Sequence, residues 1–250
     1  DFPSHGTQKS PLPTPTSSPH LTPLAPFSAN SSLSHLISQT MLPRSVRALT
    51  IALSAFIIAT TIASISGVTP DVQKASIGSA YAALSLLAVT FALGPLSVLR
   101  TRRYPVSTVL RRDCGIASAL LALLHTIIGL RVHMKGNIAR YFLPSSTHLQ
   151  RSDILFLSAN HLGLISALVL AALLFLSNDW SLRKLGSTKW KRWQRSAYFA
   201  GAFAIVHGAF YQIVENRRVA LVALFAAMIA VVVFLQLFAR SRRLKNSLQR

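Results

Sequence analysis

Acidic residues are scarce in this chain. Its 250 residues hold six Asp and Glu against 26 Lys and Arg, a formal net charge of +20. Charged residues of both signs make up only 13%, about half the share of an ordinary soluble domain. Cysteine is nearly absent. Cys114 stands alone, which excludes an intramolecular disulfide, and its place at the start of an apolar stretch reads as small packing residue. Several signatures are missing too: no Cys-x-x-Cys, no His-Glu-x-x-His, no acidic calcium loop, and no Gly-rich dinucleotide fingerprint after a strand pattern. The chain therefore offers no sequence sign of a structural zinc site, a zinc protease or a nucleotide-binding fold of its own.

What the chain has is apolar, and it comes in blocks. Asp, Glu, Lys and Arg are absent from six windows: Ala48–Pro70, Ala75–Leu99, Cys114–Leu130, Ile154–Asn178, Ser196–Val214 and Val219–Ala239, of 23, 25, 17, 25, 19 and 21 residues. A helix needs roughly 20 residues to cross the hydrocarbon core of a bilayer, and the windows lack the alternation of a barrel strand. The expected fold is an all-α membrane protein, a six-transmembrane-helix bundle over residues 44–240. The acids Asp71, Asp113, Asp153, Asp179 and Glu215 all fall at window edges. Proton-coupled transporters usually carry Asp, Glu or His inside the bundle, so a proton relay here would rest on histidine alone.

The basic residues lie at the ends of the windows, so the positive charge is read as a membrane feature and nucleic acid is not expected as a partner. Counted over loops and flanks from Arg44 onward, one side collects 18 Lys and Arg and the other 7. The richer side should be cytoplasmic, giving N-in/C-in topology with the 131–153 loop outside. A rim this basic also suits anionic lipids. Residues 1–43 are rich in Ser, Pro and Thr and cannot bury enough apolar surface to fold alone. They are read as a disordered tail or a targeting segment, with Met41 as an alternative start. Residues 241–250 are read as a basic cytoplasmic tail.

Two histidines are mid-window. His125 lies 12 residues after Asp113 and His207 lies 12 residues after Arg195, each about 18 Å along its helix axis at 1.5 Å per residue. Both therefore reach one depth, on the third and fifth spans. Two neutral imidazoles at equal depth on two helices suit the axial positions of an iron porphyrin. Small residues should line the gap: Ala119, Ala122 and Gly129 on the third span, and Ala200, Gly201, Ala204 and Gly208 on the fifth. The bland alternative is that the histidines are interhelical hydrogen-bonding residues in a non-redox scaffold or small transporter. His161, near the end of the fourth span, is read as an interfacial polar residue. His133 and His148 are read as solvated loop residues.

Several fragments carry a resemblance: Leu110-Arg111-Arg112-Asp113-Cys114-Gly115, Leu121-Ala122-Leu123-Leu124-His125, Ser177-Asn178-Asp179, Arg183-Lys184-Leu185-Gly186, the stretch from Trp190 through Arg195 to Tyr198, and then His207. In order and spacing the chain resembles the ferric reductase-like transmembrane domain family over roughly residues 76–215. That family includes the heme-binding membrane subunit of the periplasmic methionine sulfoxide reductase system. The resemblance implies a cytochrome b: heme b held by His125 and His207 as iron ligands, with electrons moved across the bilayer. It also shows a departure. The sulfoxide reductase subunit has a further histidine 13 residues before the last one, where this chain has Gln194. Larger relatives have an inner histidine near the place of Arg111 and Arg112. One heme, the outer one, is therefore expected.

With one outer heme, electrons entering from the cytoplasm need another carrier across the inner half of the membrane. Arg111, Arg112, Trp190 and Arg195 are candidates to hold a quinone, a flavin such as FMN, or a heme propionate there; the alternative is anchoring at the membrane interface. Only 11 residues follow Ala239, so the expectation is an oxidoreductase membrane subunit without its own flavin or NAD domain. Its electron donor would be a separate reductase or quinone, its acceptor an outer-side protein or ferric iron, and its host a bacterial inner membrane or an organellar membrane.

Overall fold

The structure is a computed structural model. It describes residues 43–99, 108–135, 137–143 and 150–248; the tail expected over residues 1–42 lies outside them. The described residues are helical, without strands. In chain order the helices are α1 (Arg44–Ile65), α2 (Asp71–Leu99), α3 (Thr108–Met134), α4 (Ala139–Phe142), α5 (Arg151–Leu176), α6 (Asp179–Gln194), α7 (Ala197–Val214) and α8 (Val219–Leu248). Six are long and apolar enough to cross a bilayer: α1, α2, α3, α5, α8, and α7 with α6 leading into it. The third window, short by charge-free length, belongs to a 27-residue helix because α3 continues through Arg111, Arg112 and Arg131.

Large apolar side chains point outward. Phe56, Phe175, Phe199 and Val219 are each about two-thirds exposed or more, a distribution that suits a lipid surround. Hydroxyls on exposed α1 are satisfied within the helix: Thr50, Ser54, Thr60 and Ser64 each donate to a carbonyl four residues back, as a backbone without water requires of its neighbours.

The core is built around α2. Ala82 and Leu86 pack with Ile51, Ala55 and Cys114 of α1 and α3. Ile77 and Tyr81 pack with Ile62, Leu221 and Phe225 of α1 and α8. Leu87 and Phe91 pack with Ala119, Leu170 and Ala200 of α3, α5 and α7. Small residues let these helices approach: a Cβ on Gly78 would lie 2.5 Å from the carbonyl oxygen of Ala59. Ser118 donates to the Ala83 carbonyl and Ser166 to the Ala200 carbonyl, each a bond from one helix to the next.

The two ends of the bundle differ. At one end, Arg47 pairs with Asp113 at 2.9 Å, and the basic segment between the fourth and fifth charge-free windows forms α6. It bends at Gly186, whose φ of 72° belongs to the left-handed region. Its helical form follows from its start, where the Asn178 side chain accepts from the Ser181 amide. At the other end lie α4, Glu215 and the start of α8. The basic residues Arg242, Arg243 and Lys245, within the segment read as a cytoplasmic tail, lie on the last turns of α8.

Candidate functional site

His125 comes from the middle of α3 and His207 from the middle of α7. Their ring centroids are 6.2 Å apart with planes inclined at 73°. Each ring is anchored through the same nitrogen. His125 Nδ1 lies 2.9 Å from the carbonyl oxygen of Ser76 on α2. His207 Nδ1 lies 2.8 Å from the carbonyl oxygen of Ala159 on α5. A carbonyl oxygen only accepts, so both Nδ1 atoms carry the proton and both Nε2 atoms keep a lone pair. That tautomer is the one found in metal-ligating histidines, which hand their other N–H to a carbonyl or carboxylate.

Gly163 of α5 makes room for the second ring. A Cβ there would sit 2.5 Å from His207 Nδ1. Both histidines border a cavity of about 180 Å³ among α2, α3, α5 and α7. Close-packed interiors leave few voids larger than a water molecule, so this cavity is larger than ordinary packing leaves. Of the small residues expected to line it, Ala122, Gly129, Ala204 and Gly208 do so. Ala119 and Ala200 pack in the core beside Phe91 instead, and Gly201 lies against the Phe91 ring.

The fit to an iron porphyrin can be tested on these atoms. Two imidazoles bound on opposite sides of one metal, each through a bond of about 2 Å, have ring centres roughly 6 Å apart. The observed separation and the two free Nε2 lone pairs meet that requirement.

Toward the α4 end the cavity turns polar. Tyr211 donates to Asn160 Oδ1 at 2.6 Å, and the Tyr141 hydroxyl donates to the Asn160 carbonyl. Gln212 Nε2 donates to Tyr81 Oη at 2.7 Å, while Tyr81 donates to the Leu221 carbonyl. Burial pushes the Tyr141 phenol up to about 12, so it remains a donor at neutral pH. His133, expected as a solvated loop residue, is half-buried in the last turn of α3. Its ring lies 5.2 Å from that of Tyr211, with Nδ1 3.6 Å from Glu215. Two buried side-chain atoms in this region have no partner among the described residues: Asn160 Nδ2 and Gln212 Oε1.

Arg111, Arg112, Trp190 and Arg195 do not line this cavity. Arg112 and Trp190 close the end of α5. The Arg112 guanidinium donates to the Ser177 carbonyl and to Asp179, and Trp190 Nε1 donates to the Leu176 carbonyl. Arg111 lies near Gly94 of α2. Gln194 reaches Ser177 Oγ at 3.5 Å. His161 bonds the Leu157 carbonyl of its own helix, consistent with a local polar role.

The model for the ferric reductase like transmembrane component matches residues 79–205. The chain belongs to that family. The match covers just over half of this ferric reductase-like chain, includes His125, and stops two residues before His207. No curated protein matches it. With its six apolar helices, the ferric reductase-like domain is an integral multi-pass membrane protein, and the family supports a role in membrane electron transfer.

Neither Asn160, Gln212 nor Gly163 was singled out from sequence. Asn160 carried a usable signal, because an amide within the charge-free window Ile154–Asn178 needs a partner in the bundle. Gly163 carried none, since glycine is common in membrane helices.

Proposed function

We propose that this protein is a membrane cytochrome b that carries electrons across the bilayer, with His125 and His207 as the axial ligands of one heme. The observation that carries the reading is the imidazole pair itself, 6.2 Å apart with each Nδ1 tied to a backbone carbonyl. Heme would supply one-electron chemistry there. The chain's own residues orient the ligands and enclose the site. The carbonyls of Ser76 and Ala159 hold the ring planes and tautomers, and the apolar helices around the cavity exclude water. Bis-histidine ligation fills both axial positions, which favours electron transfer over oxygen binding.

A single heme is proposed because Gln194 has no imidazole to offer at the α6 end, and Arg112 beside it is engaged with Ser177 and Asp179. The α6 end is proposed to be cytoplasmic, on the strength of its Lys and Arg excess. The donor is proposed to be a separate reductase, a membrane quinone or a flavin at that end, and the acceptor ferric iron or a protein at the other.

The test is a dithionite-reduced minus oxidised visible spectrum of detergent-purified protein, with a pyridine hemochrome assay. We expect a b-type signal near one heme per chain, lost in His125→Ala and in His207→Ala while membrane insertion persists. Absence of heme after expression with ample supply would overturn the reading in favour of a non-redox scaffold or transporter; two hemes per chain would overturn the single-site assignment.

A further inference from the structure

The α4 end of the histidine cavity holds one donor without a partner and one cation held by a long ion pair alone. Arg217, in the turn between α7 and α8, lines the same cavity as both histidines, and its side chain is only 11% exposed. Among the described residues its guanidinium makes no hydrogen bond. Its acidic neighbour is Glu215 Oε2 at 3.7 Å, and Glu215 is shared with His133 and with the Gln73 amide. Burying a guanidinium without hydrogen bonds is costly. Asn160, 2% exposed, leaves Nδ2 unpartnered in the same space. Its Oδ1 is already used by Tyr211, so what Asn160 offers the cavity is a donor.

The orientation of Gln212 is settled by its neighbours. Tyr81 spends its proton on the Leu221 carbonyl, so its oxygen accepts, and Nε2 must face it. Gln212 Oε1 is left as an acceptor. The cavity thus presents a planar cation, an amide donor and one acceptor. A carboxylate takes up the first two, guanidinium and carboxylate being matched in charge and shape. One water can donate one hydrogen to Gln212 Oε1 and the other to the carboxylate.

The level of these groups says which carboxylate. Tyr211 and Gln212 lie four and five residues beyond His207 on α7, about 6 to 8 Å along the axis. Arg217 lies ten residues beyond His207, past the ring pair, while Asn160 follows Ala159, whose carbonyl holds His207; the two line the cavity from the ring level toward the α4 end, where a side arm of a group held between the rings would end. We infer that Arg217 and Asn160 form a carboxylate-binding subsite that receives a propionate of the porphyrin held by His125 and His207. This rests on the heme reading. A free carboxylate has the same chemistry, and the test separates the two sources.

The experiment is titration of the full chain, purified in heme-depleted form, with hemin or hemin dimethyl ester, followed by Soret absorbance. The ester keeps the iron and macrocycle but has no carboxylates. For the wild type we expect hemin to bind ~10-fold or more tighter than the ester, the size of a charge-assisted hydrogen bond. Arg217→Gln should lose that margin for hemin and leave ester binding unchanged, and Arg217→Lys should restore part of it. Should Arg217→Gln not accumulate, Asn160→Asp makes the same comparison by setting a carboxylate against a carboxylate. Equal losses for both porphyrins would mean that Arg217 only supports the fold, and would overturn the inference. Equal hemin and ester affinity in the wild type would overturn it as well. If hemin binds more tightly than the ester and acetate raises the affinity of the ester alone, acetate fills the place that the missing carboxylate leaves and the propionate is the source; if acetate raises hemin and ester affinity alike, the subsite stays open to free carboxylate while the porphyrin is bound and the propionate assignment is overturned. A wild type that binds neither porphyrin overturns the heme reading itself.

Discussion

Each imidazole of the pair is fixed by an atom no side-chain substitution removes, a backbone carbonyl. The sensitive position is therefore the residue that gives the ring room. A Cβ on Gly163 would press on His207 Nδ1 at 2.5 Å, and on the ring carbon Cγ at 3.2 Å. Gly163→Ala is expected to push His207 off its bond to Ala159, with a shifted Soret band and weakened heme retention, both read in the purified protein. Tyr141 gives a second residue-scale expectation. Its folded-state phenol is raised to about 12 from 10. The neutral form is thus favoured by folding, and that contribution is fully present below pH 10 and lost as pH rises toward about 12. Thermal unfolding in detergent should lose stability over that window, and Tyr141→Phe should lose less.

Helix packing sets the next scale, and α2 is its centre. Gly78 meets the Ala59 carbonyl so closely that a methyl group forces α1 away from α2. Gly78→Ala is expected to destabilise by about 1–3 kcal/mol, as overpacked cores do, measured as a lowered midpoint of thermal unfolding in detergent. At the α6 end, Arg112 ties α3 to the last turn of α5 through the Ser177 carbonyl. Arg112→Ala should loosen that corner by about 1–2 kcal/mol, and heme content should persist, because Arg112 does not border the histidine cavity. Loss of heme with retained stability in that variant would put the inner arginines back into the cofactor site.

For the molecule as a whole, the asymmetry of charge between its ends gives an orientation that labelling can check. Cys114 is 3% exposed and makes a quiet background. Arg183→Cys, on α6, is expected to react with a membrane-impermeant thiol reagent from the cytoplasmic side. Asn137→Cys, beside α4, should react from the opposite side. The reverse pattern would invert the proposed direction of electron flow while leaving the histidine pair untouched.

The membrane fold and the histidine pair were legible in the residues because each depends on one-dimensional facts. A span is a length without charge, and depth is a count of residues at a fixed rise. Family membership was legible in the order of the fragments around Arg111, His125 and Trp190. The connection between the fourth and fifth windows is a helix bent at Gly186, which its polar composition hid. His133 was placed in solvent, although α3 carries it inward against Tyr211. Lateral neighbours are decided by helix rotation and packing, which no linear count contains. Only the tertiary structure could bring Asn160, Gln212 and Arg217 to one cavity, set the Ser76 and Ala159 carbonyls behind the two rings, and place Gly163 where His207 needs the space.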